Sequence, residues 1–334
     1  MAESRFAPDP GSGEDHGQEV RDVLLRTARQ LGSAMEARWV LEHVLGQGTS
    51  AILLAQRAAR LDPGALARLD RLVDRRLSGE PLQYVLGSWS FRGIELRVDP
   101  RVLIPRPETE VVVGHALDEL GPALDLAAAL GQSPHAEVLA VDLGTGSGAI
   151  AAALAVEGPA RVGDRPLRVL AVDDAPDALE VAAANLQALG KRHPGAAPVE
   201  LRQGDWFDAL PGDLAGQVTL AVANPPYVAE AEWRALDPTV RDHEPRRALV
   251  GGPTGREAVD RILAQACRWL APWGVLVVEL APSQAEDAAL RALVDGFDAV
   301  VVRHDLAGRP RALIARRWGT TAEDPTDDEE EHRG

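Results

Sequence analysis

The chain has 334 residues, 46% of them hydrophobic, one cysteine, and a net charge of −16. That length supports one large core or two smaller ones, and a single thiol, Cys267, excludes an internal disulfide framework and a cysteine-built metal cage. No basic surplus marks the chain as a duplex-DNA binder acting through phosphates.

The acidity sits at the ends. Residues 1–19 hold five acids against one arginine, and residues 321–334 hold seven against one. Segments of this kind are expected to be solvated and disordered, which assigns 1–17 and 319–334 as tails. No apolar run approaches the roughly 18 residues of a membrane span. The start lacks the basic-then-apolar layout of a secretory signal, so a cytoplasmic location is expected.

Between the tails, helical periodicity predicts helices over 19–31, 33–45 and 64–77. Gly32, Gly46 and Gly79 are the stops, and Ser33 is placed to cap the second helix. With no glycine-rich loop or metal constellation, 18–85 reads as a helical domain that recognises a substrate. In 86–104, Trp89-Ser90-Phe91 and Ile94-Glu95-Leu96-Arg97-Val98 alternate across Arg92-Gly93, which predicts a β-hairpin connector. Prolines 105 and 107 then stiffen a segment whose charges, Arg106, Glu108 and Glu110, either face a cleft or belong to a plain linker. A helix over 111–120 and a surface loop over 121–136 follow.

From residue 137 to about 318 the pattern becomes β then α. Strands are predicted at 138–142, 167–173, 199–203, 218–223 and 275–280, with a closing antiparallel pair at 299–303 and 311–315. This spacing predicts an α/β, Rossmann-like, doubly wound and mostly parallel sheet over 105–318. Cys267 falls in a helical stretch and reads as a small buried residue rather than a nucleophile.

The chemistry-bearing residues fall at predicted strand ends, where open α/β sheets bind ligands. Asp142-Leu143-Gly144-Thr145-Gly146-Ser147-Gly148 leaves the first strand and opens a helix. Its glycines permit a tight turn with close ligand approach, and the helix start offers free N–H groups to an anion. The glycine spacing is tighter than the dinucleotide pattern and suits a donor whose amino-acid end carries a carboxylate and an amine. Asp142 is placed to serve that amine directly or through water. Asp173 ends the second strand and is placed to accept ribose hydroxyls, while Asp174 fits the cap of the next helix. After the third strand, Trp206 offers a face for adenine and Asp205 an acceptor for its amine.

After the fourth strand comes Asn224-Pro225-Pro226-Tyr227. Two prolines stiffen the turn, Asn224 adds an acceptor and two donors, and Tyr227 adds a flat face. A planar NH2 group fits such a site, either an amide or an exocyclic base amine.

Together these motifs resemble class I S-adenosylmethionine-dependent methyltransferases. Gly79-Glu80-Pro81-Leu82-Gln83-Tyr84, the hairpin, residues 103–110 and Asp242-His243-Glu244-Pro245 narrow the resemblance to the bacterial release factor glutamine N5-methyltransferases. His243 stands where that family carries an aromatic residue. The resemblance covers about 20–317 and implies a small helical N-terminal domain, a β-hairpin and a seven-stranded methyltransferase sheet. It implies S-adenosylmethionine as methyl donor and no metal. The implied acceptor is the Gly-Gly-Gln glutamine of class 1 peptide chain release factors. Gly144 to Gly148, Asp173, Trp206 and Asn224 would then contact the donor, and Asn224, Pro225, Pro226 and Tyr227 the glutamine amide. A monomer is expected. The competing readings are adenine-N6 methylation of DNA, glutamine methylation of a ribosomal protein, and a non-catalytic binding module.

Overall fold

The computed structural model describes residues 18–46 and 60–318, so both predicted acidic tails lie outside the described residues. The chain divides into two compact units, one ending at Leu86 and the other beginning at Gly87.

In the first unit, β1 (Gln18–Glu19) pairs antiparallel with β2 (Arg60–Leu61) beside helices α1 (Val20–Leu31), α2 (Ala34–Leu45), α3 (Pro63–Leu77) and α4 (Leu82–Leu86). Gly32 closes α1 in the left-handed conformation, and Ser33 Oγ accepts from Glu36 N at 3.2 Å, the cap expected from the sequence. Asp62 caps α3 in the same way, with Pro63 at its first position. The helices bury Val23, Val40, Leu41, Leu69 and Val73 against one another. Glu80 accepts from Arg75, whose guanidinium also donates to the Tyr84 carbonyl, which explains part of the 79–84 motif as local architecture.

The second unit opens with the hairpin of β3 (Ser88–Phe91) and β4 (Ile94–Arg97). Then come α5 (Pro107–Ala129), β5 (Val138–Leu143), α6 (Ala149–Glu157), α7 (Pro159–Val162), β6 (Leu167–Asp173), α8 (Pro176–Arg192), β7 (Val199–Gln203) and β8 (Val218–Ala223). The chain continues through β9 (Val228–Ala229), α9 (Pro238–Arg241), β10 (Val250–Gly252), α10 (Glu257–Trp269), β11 (Leu270–Glu279), α11 (Ala285–Val294), β12 (Ala299–His304) and β13 (Pro310–Arg316). Seven strands form one sheet in the order β12-β13-β11-β8-β5-β6-β7, with β13 antiparallel to both its neighbours and the other pairings parallel. This is the mostly parallel, seven-stranded α/β sheet expected.

Central strands β5 and β8 are buried at every residue, as parallel strands covered on both faces must be. Alternate side chains serve opposite cores: Ala140, Leu220, Val222 and Val277 face one, and Leu139, Val141, Ala221 and Val278 the other.

Two expectations change. The loop predicted over 121–136 is mostly helix, because α5 runs through Pro122 to Ala129. Pro122 removes one helical N–H, but Ala123, Leu124 and Ala127 bury their side chains and hold the helix to the core. The strand expected at 275–280 begins earlier, at Leu270, with a register irregularity before Val275. The short parallel pair β9–β10 had no signal in the sequence.

The hairpin is pinned to this unit. Arg92 and Gly93 both have positive φ, the turn that suits twisted strands. The Arg92 guanidinium pairs with Glu157 and donates to the Glu110 carbonyl at 2.6 Å, while Glu110 Oε1 accepts from Arg92 N at 2.9 Å. At the other end, buried Asn185 accepts from Arg97 N at 2.7 Å and donates to Arg97 O at 3.0 Å and Ser147 O at 2.8 Å. One amide thus joins the hairpin, α8 and the glycine turn. Asn185→Ala orphans these main-chain groups and should lower stability by about 2–4 kcal/mol, read from the denaturant midpoint.

Candidate active site

Parallel pairing brings β5, β6 and β8 to an end on one edge, with Leu143 beside both Val172 and Ala223. The chain leaves each strand there, and a cavity of about 200 Å³ opens among the exits. Its lining includes Gly144, Thr145, Gly146, Ser147, Asp173, Asp205, Trp206, Asn224 and Pro226, nine of the residues singled out in the sequence. Asp142, Gly148, Pro225 and Tyr227 do not line it.

The glycine turn is held by its neighbours. Gly144 N and Thr145 N both donate to Val172 O, and Gly146 N donates to Asp173 Oδ2 at 2.8 Å. Gly144 has φ +76°, and a Cβ there would lie 3.1 Å from the Trp206 ring. Only glycine therefore allows both this turn and this ring position. Trp206 is itself at φ +50°, uncommon for a bulky residue and the kind of strain found at ligand clamps.

Asp142 lies behind the turn, fully buried. Its Oδ2 accepts from Thr145 Oγ1 at 2.5 Å and Ala151 N at 3.0 Å, so the carboxylate braces the turn from below. Burial pushes its carboxyl from 3.8 up to about 7, against the opposing pull of those two donors. Asp173 is likewise raised by burial; its Oδ1 accepts from Ala175 N at 3.0 Å. The helix-start bond expected of Asp174 is therefore made by Asp173, while Ala175 occupies the cap of α8. Asp205 pairs with Arg261.

At the end of β8, Asn224 Nδ2 donates to Thr109 Oγ1 at 3.1 Å. Gln284 Nε2 secures the same loop by donating to Tyr227 O at 3.0 Å and Gly255 O at 3.1 Å. Gly251 passes so close that a Cβ would sit 2.3 Å from Pro226 O.

Sequence reading missed several lining residues: Arg101, Thr109, Ala175, Ala178 and Arg247. Arg101 is held by its near neighbour Asp99 and by Glu180, and Arg247 by Asp177, so α8, distant in sequence, helps bring both to the cavity. The structure links two of the sequence motifs, residues 103–110 and 242–245. Buried Glu244 accepts from Ile104 N at 3.1 Å and from Arg106 at 2.5 Å, setting Pro105 at the cavity wall. None of Arg106, Glu108 and Glu110 lines the cavity; Arg106 pairs with Glu244, Glu108 with Arg309, and Glu110 holds the hairpin.

The PrmC N-terminal domain family matches residues 23–87. The release factor glutamine methyltransferase of Streptomyces coelicolor is 42% identical over 256 residues, covering 75% of this chain and 81% of that protein. The chain belongs to the release factor glutamine methyltransferase family. The Mycolicibacterium smegmatis member is 37% identical over 302 residues, 90% of this chain and 96% of its own. The family resemblance drawn from the sequence motifs holds, and membership makes the chain a methyltransferase. Among the described residues no cluster of His, Cys, Asp and Glu is arranged to hold a metal, and no helix is long and apolar enough to cross a membrane.

The raised Asp142 carboxyl has a consequence for stability. An acid whose folded pKa lies above its unfolded value loses stability as pH rises between the two. Wild-type stability should therefore fall between pH 3.8 and about 7 through Asp142. Asp142→Asn should narrow the gap between melting temperatures at about pH 5 and about pH 8, measured by calorimetry.

Proposed function

We propose that the enzyme transfers a methyl group from S-adenosylmethionine to the side-chain amide of a glutamine, that of the Gly-Gly-Gln loop in class 1 peptide chain release factors. The observation that carries the reading is the shared cavity: Asn224 and Pro226 line the same space as the glycine turn, Asp173 and Trp206. A donor and an acceptor site meet there.

The donor half fits an adenosine with an amino-acid end. Trp206 offers an aromatic face, and Asp173 retains acceptor capacity beyond its two main-chain donors. Gly144 to Ser147 line the cavity, and Gly144 leaves there the space that a Cβ would take against the Trp206 ring. Asp142 acts through the turn rather than from the cavity wall, and Asp205 stands with Arg261 at the rim. S-adenosylmethionine supplies an electrophilic sulfonium methyl group when bound.

The rest is positioning by this chain's own residues. An amide nitrogen is a weak nucleophile because its lone pair is delocalised. Asn224 Oδ1, on the cavity wall, and the carbonyl of Pro225, between the two lining residues Asn224 and Pro226, accept the two amide hydrogens, fix the nitrogen and raise its electron density. Tyr227 packs on the amide plane, and Pro226 keeps the turn rigid. Near-attack positioning of this kind is worth roughly 7–11 kcal/mol. The methylated nitrogen is strongly acidic and sheds its proton to water, so no side chain is assigned as base.

The acidic chain favours a protein acceptor over duplex DNA, and the helical unit is assigned to gripping that protein away from its glutamine. The enzyme acts as a monomer in the cytoplasm, where release factors work.

Labelled S-adenosylmethionine should mark a purified release factor, but neither its Gly-Gly-Ala variant, a ribosomal-protein glutamine nor duplex DNA. Label on DNA or on the ribosomal protein instead would overturn the acceptor assignment. Asn224→Ala should lower kcat by roughly 100-fold or more; near-wild-type turnover would sink the mechanism. Removing residues 1–86 should raise KM for the release factor while leaving S-adenosylhomocysteine affinity intact.

A further inference from the structure

Glu279 stands where the fold has least use for a charge. It ends β11 among buried Leu276, Val277, Val278 and Leu280, and is itself 1% exposed. Strand register places it beside the catalytic turn: Val278 of β11 lies opposite Ala223 of β8, so the next residues along are Glu279 and Asn224. Thr109, from the first turn of α5, sits between them. Its hydroxyl donates to Glu279 Oε2 at 2.6 Å and accepts from Asn224 Nδ2 at 3.1 Å. Thr109 and Asn224 both line the cavity. A three-member hydrogen-bond chain therefore runs from the core to the site of the acceptor.

We propose that Glu279 is a positioning residue which, through Thr109, dictates which way the Asn224 carboxamide faces and thereby presents Asn224 Oδ1 to the reactive amide. This rests on the acceptor reading above. The argument is one of hydrogen-bond polarity. An ionised carboxylate only accepts, so the Thr109 hydrogen is committed to it. The Thr109 oxygen is then left as an acceptor, and the group of Asn224 that can satisfy it is the NH2. That turns Oδ1 the other way, which is the orientation needed to accept a hydrogen from a substrate amide. Reversing the chain at Glu279 reverses it throughout: a donor there points at Thr109, frees the threonine hydrogen for Asn224 Oδ1, and leaves an NH2 facing the substrate NH2.

An apolar residue at 279 would suit the surrounding core, and an isolated buried carboxylate is destabilising. The charges that reach Glu279 are Arg311 on β13, Arg106 and Glu108 at the entry to α5, and Tyr227 on the catalytic loop. Burial dominates and pushes its carboxyl up to about 7, with Thr109, Arg311 and Arg106 pulling down and Glu108 pushing up. Near neutral pH a protonated Glu279 can donate as well as accept, so the polarity of the chain is no longer enforced, and kcat should rise with pH as Glu279 ionises. Asp142 and Asp173 also have raised carboxyls, but they belong to the donor half, so the profile is taken at saturating S-adenosylmethionine.

The test uses the full chain with a release factor and labelled S-adenosylmethionine. Glu279→Gln keeps the volume but offers Thr109 a donor as readily as an acceptor, so the orientation is no longer enforced; kcat should fall roughly 10- to 100-fold, the scale found for outer-shell groups that orient metal ligands. S-adenosylhomocysteine affinity, measured by calorimetry, should be unchanged, and the rise of kcat through about pH 7 should disappear. Thr109→Val should match that loss, Thr109→Ser should recover most of it, and Thr109→Val with Glu279→Gln should be no worse than Thr109→Val alone. An active Asn224→Ala enzyme would bring down the acceptor reading itself. An inactive Asn224→Ala enzyme beside a Glu279→Gln enzyme with wild-type kcat and pH profile would overturn the relay alone. Should Glu279→Gln fail to fold, the threonine pair decides: wild-type kcat in Thr109→Val rejects the relay.

Discussion

Hydrogen-bonded register between parallel strands is the constraint from which the site follows. Four neighbours, β11, β8, β5 and β6, run the same way, so their chain exits share one edge of the sheet. Asp142, Asp173, Asn224 and Glu279 lie at or beside those exits, although 137 residues of chain separate the first from the last. The ladder supplies this convergence because each residue is tied to its neighbour's register, and burial on both faces prevents a slip. A shift of one residue would turn Asn224 and Glu279 into opposite cores.

Around that edge the protein uses buried polar side chains as ties, each bonded to main-chain groups of a different element. Asn185 joins the hairpin to the glycine turn, Glu244 sets the 104–106 segment, and Gln284 holds the loop that follows β8. These bonds are strong because they are shielded from water, and losing one leaves orphaned backbone groups. They explain how two glycine-rich and proline-rich loops, which have few apolar contacts of their own, keep a fixed shape. The same reasoning sets Asp142 and Glu279 apart from the other buried acids: Asp142 supports the glycine turn and Glu279 stands beside the Asn224 turn, and both stand at a free-energy disadvantage when ionised.

Much of this was legible in the amino-acid order. Alternating β and α periods, the 142–148 turn, Asp173 and the Asn224 cluster follow from local chemistry, since each lies within one strand-to-loop transition. Their shared cavity was inferred from the rule that open sheets bind at strand ends. Reading 121–136 as loop failed because proline and glycine frequency is a local signal, whereas the burial of Ala123, Leu124 and Ala127 that sustains α5 is a tertiary one.

What the sequence by itself determined is the inventory: a helical unit, a parallel sheet, a glycine turn and a proline-stiffened Asn224 cluster, each specified by spacing over a few residues. Only the tertiary structure decided the partnerships. Thr109 with Glu279 spans 170 positions, Ile104 with Glu244 spans 140, and Arg97 with Asn185 spans 88. No local pattern encodes such pairs, because a lone buried carboxylate or amide has no periodicity; its meaning comes from what folding places within hydrogen-bonding distance of it.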